Sequence, residues 1–382
     1  LDRRPSRWRT WLETKTLRYW PKRFLARDWN VDRREVAKLL GDFGEQARPA
    51  VPALLRASAD ANWDVQENAS VALTRIGEPA AGELAAIICD GRDRALSERA
   101  AMALERMHPR TRSALPRLVD EFSGLPENLQ ILLAPVLGRS AAEHPRIIGV
   151  LGEVARSSTR LNVRLAALKA LALSPVLDDD LKTLMNEGLS DPMLEVRFHS
   201  AAGLWRTMGD HAAALPAIAS GLTNGALRIE AVTLLGEMGE AAGPAVPELV
   251  RVLADERVYR PLRTPPSAGI ALSRIGDRAL EFVAPLLQST NAQTRLNAVI
   301  TIGLFGPRGG AQGRDLLPLL SDPEREVRFS AALSLSSVGL HVSNAVPVLF
   351  EILDEDDPFL VTWAGDALAK IDSKLAPGNT AR

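Results

Sequence analysis

Residues 191–205 read DPMLEVRFHSAAGLW, and residues 322–336 read DPEREVRFSAALSLS. Both carry Asp-Pro, then Val-Arg, then small residues, then leucine. With Val196 and Val327 as position 0, the same frame fits at Val31, Val65, Leu96, Leu129, Val163, Leu227, Thr264, Thr294 and Leu360. The mean spacing is about 33 residues, within the ~20–50 of solenoid repeats. Position +8 is a large aliphatic in every repeat: Leu39, Leu73, Leu104, Leu137, Leu171, Leu204, Leu235, Leu272, Ile302, Leu335 and Leu368. Position +4 is Ala or Ser except at Glu35 and Leu133. Residues at 0, +4 and +8 share one helix face, and a small residue in the middle lets a neighbouring helix come close.

The frame predicts a first helix, A, in each repeat. Position +12 is glycine at Gly77, Gly239, Gly276, Gly306 and Gly339, which suits a left-handed helix end. An apolar run follows, with a proline near its start at Pro52, Pro116, Pro216, Pro247, Pro285, Pro318 and Pro347. Proline is tolerated in a first helical turn, so this run predicts a second helix, B. A helical hairpin this small leaves too much apolar surface exposed alone; stacking covers both sides. The expected fold is all-α: a right-handed α-solenoid, or superhelix, of about eleven hairpins over residues 31–372. Residues 1–30 and 373–382 lie outside it.

The Asp-Pro…Val-Arg…Ala…Leu frame and the helix-B proline resemble the HEAT family, in particular the short bacterial HEAT repeats of phycobilisome-lyase-like proteins. The resemblance covers about residues 31–372 and implies an armadillo-like solenoid. It also implies an inter-repeat ladder of Asp and Arg. At +1 stand Arg164, Arg197, Arg228, Arg295 and Arg328; Asp191 and Asp322 stand at −5. The ladder is interrupted where +1 is Gln66, Ser97, Gln130, Pro265 or Val361.

Composition narrows the function classes. The 382 residues are 46% hydrophobic and 24% charged, with a net charge of −1 and one cysteine, Cys89. A near-neutral chain sets up no global field for nucleic acid, and no nucleic-acid partner is expected. One cysteine excludes an intramolecular disulfide and a multi-thiolate metal site. None of His108, His144, His199, His211 and His341 precedes a glutamate, so the His-Glu iron ligands of the HEAT-like deoxyhypusine hydroxylases have no counterpart. No metal, cofactor or catalytic set is expected. His199 reads as a packed helix residue, Cys89 as buried and inert, and Trp63, Trp205 and Trp363 as core, with a groove aromatic that anchors an interface as the alternative. The acidic runs 178–180 and 354–357 read as turns and helix caps, and GPRGGAQGRD (306–315) as a long A–B turn.

The first 30 residues differ from the rest. They hold nine Lys or Arg against three acids, a net +6, leaving −7 for the remainder. Aromatics interleave with the cations, and Arg7, Trp8, Trp11, Arg18, Tyr19, Trp20, Lys22 and Arg23 are candidate contacts with a membrane or a partner. Three readings stand: a cap on the first repeat, a juxtamembrane segment at a headgroup layer, or another binding arm. The start at Leu1 suits a trimmed chain, and a missing upstream anchor would make the protein membrane-associated, in a bacterium if the resemblance holds.

The expected function is a non-enzymatic scaffold or adaptor that binds a protein on its concave helix-B face. The alternative is a phycobilin-lyase-like protein that holds or delivers a chromophore or cofactor.

Overall fold

The computed structural model describes residues 33–176, 179–257, 265–339 and 342–375. Residues 1–30 therefore lie outside the described residues, as does position 0 of the first and eighth repeats. Contacts divide the chain into two compact units, Leu1–Gly188 with Arg206–Met208 and Leu189–Trp205 with Gly209–Arg382. The first contains α1 (Arg33–Asp42), α2 (Val51–Ala57), α3 (Trp63–Ile76), α4 (Glu78–Asp90), α5 (Arg94–Met107), α6 (Leu115–Glu121), α7 (Glu127–Arg139), α8 (Ile147–Ser157), α9 (Leu161–Leu171) and α10 (Asp179–Gly188). The second contains α11 (Leu194–Met208, its last three residues grouping with the first unit), α12 (His211–Ser220), α13 (Arg228–Met238), α14 (Val246–Asp255), α15 (Ser267–Ile275), α16 (Arg278–Val283), α17 (Ala292–Leu304), α18 (Gly313–Leu316), α19 (Arg325–Val338), α20 (Val342–Leu353) and α21 (Pro358–Leu375).

Odd-numbered helices are the A helices of the repeat frame and even-numbered ones the B helices. A and B helices of a repeat form hairpins, as α7 with α8 and α19 with α20, and within a unit neighbouring A helices pack side by side, as α1 does on α3 and α17 on α19. This is an all-helical α-solenoid, of ten hairpins and an eleventh A helix among the described residues.

The core is the stripe read from the frame. Ala69, Ala100, Leu133, Ala167, Ser200, Ala231, Ala268, Ala298, Ala331 and Ala364, all at +4, are fully buried. At +8 the residues from Leu73 to Leu335 are buried too. Close approach extends to glycines further along the A helices. A Cβ on Gly41 or Gly236 would lie 3.0 Å from the Cα of Ala72 or Ala271 in the next A helix. One on Gly138 of α7 would collide with the Ala170 carbonyl of α9.

Three local expectations are corrected. The +12 glycines do have positive φ, but Gly77 (φ 72°, ψ −140°) and Gly239 (φ 59°, ψ −136°) are not left-handed helical. Gly77 is at once the end of α3 and the cap of α4. That reversal without a loop needs a region of backbone space open essentially to glycine. The prolines also divide. Pro52, Pro116 and Pro247 open α2, α6 and α14 after a 3-10 lead-in, which places the missing N–H in a first turn. Pro216 and Pro347 sit inside α12 and α20. In α12 the cause is visible: Asp210 accepts from Ala213 N–H at 3.1 Å and starts the helix five residues before the proline. The glycine-rich 306–315 stretch, expected as a turn, forms a 3-10 helix over Gly306–Gln312 that leads into α18.

Glycine-to-alanine exchange separates packing from propensity. Gly138→Ala is expected to destabilise by about 1–3 kcal/mol through overpacking. Gly149→Ala in α8, where a Cβ meets nothing within 4 Å, should stabilise by roughly 0.5–1 kcal/mol. Urea unfolding of the two variants checks the opposite signs.

Candidate partner-binding surface

The ladder residues do more than pair with one another. Arg164 Nε donates to the Ala155 carbonyl at 3.1 Å, and Arg228 Nε to the Leu222 carbonyl at 3.0 Å. Arg197 donates to the carbonyls of Asp191 (2.8 Å) and Pro192 (2.9 Å), and Arg328 to those of Asp322 (2.9 Å) and Pro323 (3.2 Å). Each reaches back to the end of the preceding B helix or the turn after it, where carbonyls lack intrahelical donors. Three of the five neutral residues that interrupt the sequence ladder do the same. Gln66 donates to the Asp60 carbonyl at 2.5 Å, Ser97 to Ile87 at 3.2 Å, and Gln130 to Phe122 and Ser123 at 2.9 and 3.0 Å. From Gln66 to Arg328 position +1 supplies a side-chain donor, with or without charge, everywhere except Pro265.

Arg295 also crosses to the next repeat. Arg295 Nε and Nη2 donate to the two Asp322 oxygens at 2.8 and 2.9 Å, with both side chains buried, while its Nη1 holds the Ser289 and Thr290 carbonyls. Asp322 also accepts from Glu324 N–H at 3.0 Å, and Asp191 likewise accepts from Met193 N–H at 2.8 Å. Burial pushes the Asp322 carboxyl up. The hydrogen bonds from Arg295 and Glu324 and the charges of Arg295 and Arg328 outweigh it, and the group sits below the usual carboxylate range. The Asp322 hydrogen bond in turn raises Arg295.

The expectation of a buried tryptophan set is corrected. Trp205 packs partly buried against the core of the second unit. Trp63 and Trp363 are exposed, because each stands on the outward side of an A helix, away from the 0, +4, +8 stripe. His199 is buried and edge-on to Phe198. Cys89 is half-buried; burial pushes its thiol up against the opposing pull of Arg117, so it is a poor nucleophile. Among the described residues, no three or more His, Cys, Asp or Glu gather to hold a metal ion, and no helix is long and apolar enough to cross a membrane.

What the structure adds is a groove of about 620 Å³ on the helix-B layer of the first unit, between α8 and α10. These two B helices meet sparsely, whereas α7 and α9 beside them pack closely. The groove floor is Ile148 and Leu184, and the wall of α8 is cut back at Gly149 and Gly152. Arg146 is held by Asp120 at 2.6 Å and Arg156 by Glu187 at 2.8 Å, and Glu153 and Asp180 complete the lining. An apolar floor beneath a charged rim is the anatomy of a protein contact. The sequence signal was IIGVLGEV, with glycines three apart on the outward side of an apolar helix. On the same layer of the second unit, Phe282 of α16 and Phe350 of α20 are exposed.

The resemblance to HEAT repeats holds: residues 280–369 match the family described as HEAT repeats. No curated protein gives a significant sequence match. In fold the chain is similar to yeast importin-beta (Kap95p), at 18% identity and a TM-score of 0.59, over 92% of this chain and 53% of that one. It is similar to a chain of the Kap95:Nup1 complex at 16% identity and 0.58, over 92% and 53%. Kap121p bound to Pho4p gives 13% and 0.52, over 85% and 41%. The chain thus spans about half the length of these structures or less, and at such identities the likeness is one of fold.

The Asp322 carboxylate makes the stack acid-sensitive. Its folded-state pKa lies below the unfolded value of about 3.9, so its contribution is complete above that pH and lost as pH falls through the folded value. The stability gap between wild type and Asp322→Asn should therefore be largest near pH 6 and shrink towards pH 3 in urea titrations. Arg295→Met, which takes the guanidinium from a buried carboxylate, should cost about 3–5 kcal/mol at pH 7.

Proposed function

We propose that this protein is a non-enzymatic scaffold whose helix-B face binds a protein partner, with the α8–α10 groove as the principal contact. The observation that carries the reading is the groove itself: an apolar floor, opened by Gly149 and Gly152, under a rim of two ion pairs and two further carboxylates. The ion pairs orient Arg146 and Arg156 along the rim, which leaves the floor accessible to a partner side chain. In the second unit, taken by itself, exposed Phe282 and Phe350 offer separate apolar contact area on B helices. Aromatic anchors of this kind dominate interface energies. Support also comes from the similar folds, which include chains solved with Nup1 and with Pho4p. The Asp and Arg ladder is assigned to holding repeats in register, not to the partner.

Filling the groove tests this. A photo-crosslinking side chain at Thr183, on the groove wall, should capture a discrete protein from native extract, and Gly149→Arg should abolish that capture without lowering the unfolding midpoint. The same crosslinker at Met102, exposed on the A helix α5, should capture nothing. Crosslinking that survives Gly149→Arg, or intrinsic turnover by the purified chain, would remove the proposal.

A further inference from the structure

Residues 92–117 are a basic stretch in an acidic array. They hold seven arginines against three acids, while the chain after residue 30 nets −7. Elsewhere in the first unit Arg48, Arg75, Arg146 and Arg156 each reach a carboxylate on another element. Arg99 and Arg106 of α5 reach none among the described residues, although Arg99 is half-buried.

Both arginines line a cavity of about 70 Å³ in the cleft between α3 and α5. Ala103 stands between them, one turn from each, and is too small to fill the space. Arg106 Nη1 donates to Ser70 Oγ of α3 at 3.2 Å, and that hydroxyl donates to the Gln66 carbonyl at 2.9 Å. Arg106 is thereby oriented, with its other guanidinium N–H groups left over. The Ser58 hydroxyl, also at the cavity, is committed to the Leu55 carbonyl at 2.8 Å. The uncommitted side-chain donors are therefore those of two guanidinium groups.

No carboxylate lines this cavity. Glu98, beside Arg99 in sequence, accepts from Arg94 at 3.0 Å and from Asn128 at 2.6 Å. Asp64 and Glu67 of α3 line the opposite side of that helix, towards α1. Two cations thus share one wall without an anion. Guanidinium groups offer planar donor forks that match the oxygens of a phosphate. The cavity has room for roughly two waters, the size of one tetrahedral oxyanion.

We propose that Arg99 and Arg106 bind a free dianion of the phosphate class between α3 and α5. The ion neutralises both guanidinium groups and braces Arg99 against Arg106, whose bond to Ser70 carries the link to α3. The site lies on A helices and is independent of the partner groove on the B layer.

Calorimetric titration of the full chain with inorganic phosphate, at fixed ionic strength, reads the site. One saturable site is expected, and Arg99→Gln and Arg106→Gln should each weaken it about tenfold or more. Arg110→Gln, in the same basic stretch but outside the cavity, should leave it unchanged. Thermal unfolding without phosphate controls for folding and should be alike in the wild type and the three variants. Absence of binding up to about 10 mM phosphate would overturn the proposal, as would an equal loss in Arg110→Gln. A phosphoserine peptide that binds through Arg99 and Arg106 where inorganic phosphate does not would also overturn it and assign the cavity to a phosphorylated protein.

Discussion

The distance at which one A helix can lie against the next sets everything else in this protein. That distance is short because position +4 is small and because glycine replaces larger residues where backbones meet. At Gly138 even a methyl group would strike the Ala170 carbonyl. Contacts this close leave no slack, so the repeats keep register through shape, and the +8 aliphatics fill what remains. The B helices are under no such demand. They vary in length, begin through 3-10 turns or carry internal prolines, and separate far enough between α8 and α10 to leave a groove. Tight packing on one layer and loose packing on the other give the fold a rigid spine and a variable face.

A second constraint is the fate of the carbonyls where each B helix ends. Stacked hairpins bring these ends close to the next A helix, where water is scarce and an unsatisfied carbonyl is costly. In most repeats position +1 supplies the donor. Arginine reaches two carbonyls at once, as Arg197, Arg295 and Arg328 do, and Gln130 does the same without charge. At Arg295 the remaining edge of the guanidinium turns onto the carboxylate of the following repeat. The ion pair is thus an extension of a capping device, and the device persists where the ion pair does not.

The A layer was legible in the sequence because it is periodic: a residue that must be buried against both neighbours recurs at the same phase in every repeat. The +1 position was half-legible. Charge made Arg164 or Arg328 conspicuous, while Gln66, Ser97 and Gln130 looked like gaps because their shared property is donation, not charge. Trp63 and Trp363 were misjudged as core for a related reason. Size and hydrophobicity favour burial on average, yet both sit outside the phase of the buried stripe, and phase decides. The groove was not legible. It depends on how far α8 stands from α10, a distance no local pattern encodes, although paired glycines on the outer side of an apolar helix were a usable hint.

The claim that matters most is that recognition takes place on the loosely packed layer. Hydrogen exchange of the whole chain, alone and saturated with a partner that copurifies from native extract, addresses it directly. The account predicts that binding slows exchange in α8 and α10 and leaves α7 and α9 as they were. Protection confined to the A helices, with α8 and α10 unchanged, would contradict it.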